Sequence, residues 1–231
     1  MPITFPTHPA AVLPLKLWRP GWFDGVALAL GSAAPDVAYA LDGSGLPVWP
    51  LSHQVRGLVL WCLPVTLLGC LLVRRAVPVV AAHLPGGDRL ALRDYGALRS
   101  SAHPWWITVL SALIGAASHL ALDGLEKLMP AVELPGHAVG AVTMTVLLLV
   151  IGRRRLIRRW HGAPPVRERR PLLFWSVAAA VALPVLTVTP LLPGAGLLHT
   201  TGVRILSATA LGLLLGAAAV GALHPEPART S

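Results

Sequence analysis

Long apolar runs separated by short polar segments form the pattern of this chain. Five runs meet or approach the roughly 20 apolar residues that a helix needs to cross the hydrocarbon core of a bilayer. They are Gly57–Val73, Trp105–Leu122, Leu134–Gly152, Pro171–Leu192 and Ile205–Leu223. A sixth run, Gly25–Leu41, is apolar except for Asp36. The pattern predicts an all-α, polytopic transmembrane helical bundle of about six spans.

A short segment, Thr7–Trp18, comes before the first predicted span. Thr7 is a candidate N-cap, and Pro9 lies near the first turn, where proline is tolerated. Twelve residues of helix reach only about 18 Å, which is too short to cross the membrane. We therefore expect a re-entrant or interfacial helix here. No polar stretch is long enough to fold alone, so residues 1–231 are interpreted as a single integral membrane domain.

The arginines predict the orientation of the chain. They concentrate in the loop between the spans that start at Gly57 and Trp105, and in the loop between those that start at Leu134 and Pro171. These loops carry Arg74, Arg75, Arg89, Arg93, Arg99, Arg153, Arg154, Arg155, Arg158, Arg159, Arg167, Arg169 and Arg170. Cytoplasmic loops are enriched in arginine, which places both loops in the cytoplasm. Alternation then puts both termini there, and the connections Asp123–Glu133 and Pro193–Arg204 outside.

Composition agrees with this interpretation. The chain is 55% hydrophobic and only 13% charged, about half the charged fraction of a soluble domain. The net charge of +9 comes almost entirely from arginines beside apolar runs, which favours membrane lipids over nucleic acid as partners. We expect a multi-pass protein of the bacterial cytoplasmic (inner) membrane, and the sequence leaves its oligomeric state open.

Ionisable side chains inside a span are costly and by default mark a functional site. His119 and Asp123, four residues apart, share one face of a helix. The topology places them at the outer membrane edge together with Asp36 and His53. His8 joins them if its short helix runs from mid-membrane toward the cytoplasm.

Three imidazoles and two carboxylates form a set of metal ligands. The five candidate ligands are His8, Asp36, His53, His119 and Asp123. Nitrogen and oxygen donors predict a divalent metal, with zinc expected first and manganese or iron as alternatives. A metal that lowers the pKa of a bound water toward about 7 would suit hydrolysis of an ester or phosphoester. No separate catalytic residue can be assigned.

Other interpretations of the same residues stay open. A lone histidine at a span end is more often an interfacial polar residue, and His119 with Asp123 is equally typical of a helix-stabilising pair. Asp24 and Asp42 are expected to be solvated, with Asp42 the more plausible extra ligand. The remaining histidines are interpreted as loop or interface residues. They are His83, His103, His137, His161, His199 and His224. Of these, His137 and His199 are reserve candidates for metal ligands.

Four blocks in about the first 125 residues resemble, in order, an uncharacterised bacterial integral-membrane family known only as domain of unknown function 4184. They are the opening Pro2 to Pro14, the segment Gly31 to Asp36, Ser52-His53 with Gly57 to Pro64, and Ser111 to Asp123. Residues 126–231 match this family only in being hydrophobic. We therefore distinguish a candidate metal-site half, 1–125, from a hydrophobic helical half, 126–231.

The same order of elements is similar to a wider group, the predicted membrane-bound metal-dependent hydrolases. That group has, in order, a Thr-His near the start, a Pro-Asp, a His-containing turn and a later His-x-x-x-Asp. The corresponding residues of this chain are Thr7-His8, Pro35-Asp36, Ser52-His53, and His119 with Asp123. A second Asp after Pro-Asp and a second His in the turn are missing here, which implies fewer metals or a weaker site.

Two classes of function follow. The first is a membrane-embedded metal-dependent hydrolase that acts on a lipid or envelope (phospho)ester near the extracytoplasmic face. The second is a non-enzymatic membrane protein, a transporter or scaffold, in which the same side chains form an ion or proton relay.

Overall fold

A computed structural model of the chain describes residues 8–100 and 103–223, without the side chains of residues 132, 133 and 223. In these residues every regular element is a helix, which confirms the predicted all-α class. The α-helices are α1 Pro9–Trp18, α2 Gly25–Val37, α3 Val48–Ser52, α4 Leu63–His83, α5 Trp105–Leu128, α6 Glu133–Arg153, α7 Leu156–His161, α8 Pro171–Val188 and α9 Leu198–Leu223. A π-helical turn, Leu58–Cys62, leads into α4.

Within the described part of the chain, five helices are long and apolar enough to cross a membrane, as the hydropathy pattern predicts. They are Leu58–His83, Trp105–Leu128, Leu134–Arg153, Pro171–Leu191 and Leu198–Ala222. The sixth predicted span is a shorter apolar helix, Gly25–Leu41. It consists of α2 and a 3-10 segment, Ala38–Leu41, and the two together rise about 27 Å.

Three of these helices extend beyond the predicted spans. α4 continues past Val73 to His83, so Arg74 and Arg75 lie on a helix and not in a loop. α5 runs on to Leu128. α9 begins at Leu198, which places Arg204 inside the helix and not in an outer connection. Hydropathy misses these extensions because a helix continues through polar residues that find partners within the protein.

Helix α2 lies directly against α5. A Cβ atom added at Gly31 would lie 2.4 Å from the carbonyl oxygen of Ala112, and one added at Gly115 would lie 2.5 Å from that of Leu28. Only glycine allows so close an approach of two backbones. The contact therefore fixes the position of the end of α2 beside the second half of α5.

A buried ion pair joins α2, α4 and α5 at the other end of α2. Asp24 was expected to be solvated, but it is only 3% exposed. Its carboxylate pairs with Arg74, accepts a hydrogen bond from Thr108 at 2.7 Å, and caps α2 by accepting from two backbone N–H groups. Burial raises the pKa of Asp24, but the Thr108 hydrogen bond and the Arg74 charge outweigh it and hold the pKa below its ordinary value.

The two arginine-rich loops meet at this same end of the bundle. Arg155, in the second loop, donates to Asp94 at 3.1 Å and to Asp88 at 2.6 Å, both in the first loop. The Nζ atom of Lys16, at the end of α1, lies 5.2 Å from the ring centroid of Trp160 in α7. This arrangement agrees with the prediction that both loops lie on one side of the membrane.

His83 was expected to be a loop or interface residue, but it is 4% exposed at the end of α4. Its Nδ1–H donates to the carbonyl of Val79 at 2.8 Å, and its Nε2 accepts from the backbone N–H of Arg170 at 2.9 Å. Its ring also stacks on Phe174, with centroids 4.4 Å apart. His83 therefore connects α4 to α8 and has both ring nitrogens satisfied.

Helix α1 packs between α2 and α6. His8 at its start and Lys16 near its end are 2% and 4% exposed, whereas Ala11, Pro14 and Trp18 are exposed. One side of α1 is therefore buried against its neighbours. The predicted N-cap, Thr7, lies outside the described residues.

Candidate metal centre

The structure brings all five predicted ligands to one end of the bundle, away from Asp24 and Arg74. Asp36 lies at the end of α2, His119 and Asp123 lie on one face of α5, and His53 follows α3. His8 precedes α1. Ligand atoms of His8, Asp36 and His119 lie within 4.8 Å of one another, and those of His53, His119 and Asp123 form a second such group. His119 belongs to both groups.

Four of these side chains surround a small common space. The Nε2 atom of His53 lies 3.4 Å from Oδ1 of Asp36 and 3.7 Å from Oδ2 of Asp123. The Nε2 atom of His119 lies at the same two distances from the same two oxygens. These separations exceed the usual N–H···O range of about 2.7–3.2 Å. Two ligand atoms on one zinc ion lie roughly 3.3–3.6 Å apart for tetrahedral bonds of about 2.0–2.2 Å, so the 3.4 Å separations fall in this range and the 3.7 Å separations lie slightly above it.

The backbone of α2 fixes the tautomer of His119. Its Nδ1 lies 2.8 Å from the carbonyl oxygen of Ser32. A carbonyl only accepts hydrogen bonds, so Nδ1 carries a proton, and in the neutral imidazole Nε2 keeps its lone pair. Nε2 lies on the side of Asp36 and Asp123. A backbone carbonyl that holds the far nitrogen of an imidazole is a common support for a metal-binding histidine.

The residue before His53 fixes its tautomer in the same way. The hydroxyl of Ser52 donates its only hydrogen to the carbonyl of Trp49 at 2.9 Å. The same oxygen lies 2.8 Å from Nδ1 of His53, so it must accept from that nitrogen. In the neutral ring, Nε2 of His53 therefore also presents a lone pair to the two carboxylates.

His8 has a different environment. Its ring stacks on His119 with centroids 3.9 Å apart, and neither of its nitrogens has a hydrogen-bond partner. The Nε2 atoms of His53 and His119 are likewise buried and without a hydrogen-bond partner. His119 is fully buried, and Asp36 is 8% exposed. With both rings neutral, nitrogen lone pairs face carboxylate oxygens with no donor between them, which is costly unless a cation or a proton lies there.

This donor set fits a divalent cation. Two carboxylates offset its charge, and imidazole nitrogens with carboxylate oxygens suit zinc, with manganese or iron as alternatives. Because water hardly reaches the ring nitrogens, an ion held between them would be bound by protein atoms rather than by bulk solvent. Without such an ion, the negative charges of the two carboxylates would remain uncompensated inside the membrane.

The other candidate ligands lie outside both groups. Asp42 accepts a hydrogen bond from Thr200 through its carboxylate and one from Arg204 through its carbonyl. The ring of His199 packs against Tyr39, with centroids 4.6 Å apart, and Tyr39 in turn lies 5.5 Å from the ring of His53. His199 therefore contributes to an aromatic rim beside the candidate centre.

Sequence reasoning missed Glu126, whose Oε1 lies 3.8 Å from Nδ1 of His137, the other reserve histidine. Glu126 lies one turn beyond Asp123 and two turns beyond His119, on the same face of α5. That spacing is visible in the sequence and could have revealed it. Glu126 and His8 line a common cavity of about 270 Å³, so polar groups continue from the candidate centre into open space.

Comparison with known proteins gives one match. A family model described as a domain of unknown function (DUF4184) matches residues 1–223. No curated protein and no solved structure matches the chain. The family match extends through the C-terminal half, where the sequence had indicated only a hydrophobic pattern.

Proposed function

The chain belongs to the uncharacterised family DUF4184, and we propose that it is a membrane-embedded metal-dependent hydrolase of a lipid or envelope (phospho)ester. The observation that carries this proposal is the orientation of two imidazoles. His53 and His119 each commit their Nδ1–H to an oxygen, and each directs an Nε2 lone pair toward Asp36 and Asp123. The wider group of predicted membrane-bound hydrolases, which the sequence resembles, favours the same function.

The protein's own residues have separable roles in this proposal. The two imidazoles and two carboxylates would hold the cation, while Ser32 and Ser52 orient the imidazoles. A divalent cation held there would supply Lewis-acid chemistry that lowers the pKa of water toward about 7, which suits hydrolysis of an ester or phosphoester. The neighbouring helices exclude bulk water, which strengthens every electrostatic interaction in the centre.

The predicted topology indicates the face of the membrane near which the candidate centre lies. We place the protein in the bacterial cytoplasmic membrane with both termini and both arginine-rich loops inside, as the positive-inside rule favours. The candidate centre then lies near the extracytoplasmic face, which is where a lipid headgroup or an envelope phosphoester would meet it.

A proton or ion relay is the second candidate, because one observation favours it. The Nε2 atoms of both imidazoles lie within 3.4 Å of one Asp36 oxygen, so a proton on either ring would form an ion pair with that carboxylate. This function requires no metal, and it predicts proton-coupled flux in liposomes.

Metal analysis of the detergent-purified protein separates the two. We expect about one equivalent of a transition metal in the wild type and less than about 0.2 in His119→Ala. The matched control is His83→Ala, which removes another buried histidine but one with both nitrogens satisfied, and it should keep its metal. A wild type with less than about 0.2 equivalents, unchanged in His119→Ala, would reject the hydrolase proposal.

A further inference from the structure

Two cavities lie one after the other between α1 and α6. The cavity nearer the candidate metal centre, which we call the upper cavity, is lined by His8 and Ala11 on one side and by Gly136 and Thr143 on the other. The lower cavity, also of about 270 Å³, is lined by residues that follow directly along both helices. These are Leu13 and Leu17 on α1, and Met144 and Leu148 on α6. The α1–α6 groove, as we call the two cavities together, thus follows the length of α1, about 15 Å.

Small side chains and loose packing keep this groove open. A Cβ atom added at Gly136 would meet nothing within 4 Å, so α6 does not fit tightly against its neighbours there. α6 is also the least buried of the five spans, with 11% of its most apolar stretch inside the protein against 17–39% for the others. The space between α1 and α6 is therefore accessible to a molecule dissolved in the bilayer.

The two ends of the groove differ in chemistry. The upper end includes His8, which also belongs to the candidate metal centre and whose ring nitrogens have no hydrogen-bond partner. Glu126 also lines this end, with its Oε1 atom 3.8 Å from Nδ1 of His137. The lower end reaches Lys16, but this ammonium group already donates to the carbonyls of Pro20 and Phe23 and contacts Nε2 of His103 at 3.0 Å. Its three hydrogens are thus committed, so Lys16 does not offer an anion a free donor.

We propose that the α1–α6 groove binds a lipid phosphate, with its anionic head beside His8 and its hydrocarbon chain running toward Lys16. This assignment rests on the proposed function, for which it names the substrate class. Leucine and methionine side chains in the lower cavity match a hydrocarbon chain and offer little to a polar ligand. A cation held by His119 and Asp36 would attract the phosphate to the upper end.

Photocrosslinking tests the proposal without requiring turnover. The protein is reconstituted in nanodiscs with a long-chain alkyl phosphate that carries a diazirine in its chain, and the labelled residues are mapped by mass spectrometry. We expect labelling to concentrate on Leu13, Leu17, Met144 and Leu148. An excess of dodecyl phosphate should suppress it, whereas butyl phosphate should not. Labelling spread evenly over the lipid-facing residues of α8, or equal suppression by both competitors, would overturn the proposal.

Two tryptophan variants of α6 add a matched comparison. Met144→Trp fills the lower cavity, so most of the groove labelling should be lost. Val142→Trp adds the same side chain at a position that is 64% exposed, and it should label like the wild type. Unchanged labelling of Met144→Trp would count against the groove as the site.

The metal analysis distinguishes failure of this inference from failure of the proposed function. Groove labelling in a protein that binds no metal would retain the lipid site and reject the hydrolase. Bound metal without groove labelling would reject only the lipid site.

Discussion

Replacing Asp36 by asparagine should change stability in opposite directions with and without metal. In the metal-free protein, the Asp36 carboxylate lies 3.4 Å from the Nε2 atoms of His53 and His119, and with both imidazoles neutral all three groups are acceptors. An amide at the same position donates hydrogen bonds to these nitrogens and carries no charge. We therefore expect the metal-free Asp36→Asn protein to be at least as stable as the metal-free wild type.

The magnitudes follow from the number of contacts. One new hydrogen bond in a buried site contributes about 1 kcal/mol, which is the expected gain of the metal-free variant. With zinc at 100 times its dissociation constant, the wild type gains about 2.7 kcal/mol. Loss of one ligand should weaken binding by about 100-fold or more, since the loss of a supporting residue alone costs 10–100-fold. The variant then gains about 0.4 kcal/mol or less at the same zinc concentration.

Thermal unfolding in detergent measures this reversal. The protein is treated with a chelator and melted with and without added zinc. For a chain of this size the wild-type midpoint should rise by about 5–10 °C with zinc, and that of the variant by about 1–2 °C. Asp42→Asn is the matched control, because Asp42 lies outside both ligand groups, and it should respond like the wild type.

Two results would refute the reasoning. The first is a zinc response of Asp36→Asn that equals the wild-type response. The second is a metal-free variant that unfolds well below the metal-free wild type, since this would mean that the carboxylate already has a donor between itself and the imidazoles.

Three further predictions test the support, the packing and the orientation of the centre. Ser52→Ala removes the oxygen that holds Nδ1 of His53. It should weaken zinc binding by about 10–100-fold in a chelator competition. Ser118→Ala is the control, because the hydroxyl of Ser118 bonds within α5, and it should leave zinc binding unchanged. Gly115→Ala forces α2 away from α5. It should lower the stability by about 1–3 kcal/mol in thermal unfolding and should also weaken zinc binding. A Cβ atom at Gly124 meets nothing within 4 Å, so Gly124→Ala should change neither the stability nor the zinc affinity. Gly196→Cys should react with an impermeant maleimide on intact spheroplasts and Gly87→Cys should not; the reverse result would invert the topology.

Much of the fold could be predicted from the sequence, because crossing a bilayer is a local requirement. A helix needs a sufficient run of apolar residues, and each run can be recognised without knowing its neighbours. The five long spans were identified in this way. Their ends were less accurate, since α4 continues through Arg74, whose counter-charge is Asp24, fifty residues earlier in the chain.

The candidate ligands could be recognised for a similar reason. Asp36 and His119 are costly in lipid wherever they lie, so their presence in apolar runs already marks them. Arginine placement and helix periodicity then put four of the five at one depth. The identity of a polar residue alone does not reveal its partners, however, and His83 shows the consequence, because it lies inside the protein as a satisfied packing residue.

The sequence by itself determined the helical class and the long apolar runs, and it marked five side chains as candidate ligands, since each of these depends on short stretches of chain. Only the tertiary structure decided which oxygen holds each imidazole, that the ring of His8 stacks on that of His119, and that a groove opens between α1 and α6. These features depend on how distant helices meet, and in particular on the close approach of α2 and α5 at Gly31 and Gly115. Hydropathy describes how a residue interacts with its solvent, whereas the contact between two helices depends on the shapes of both.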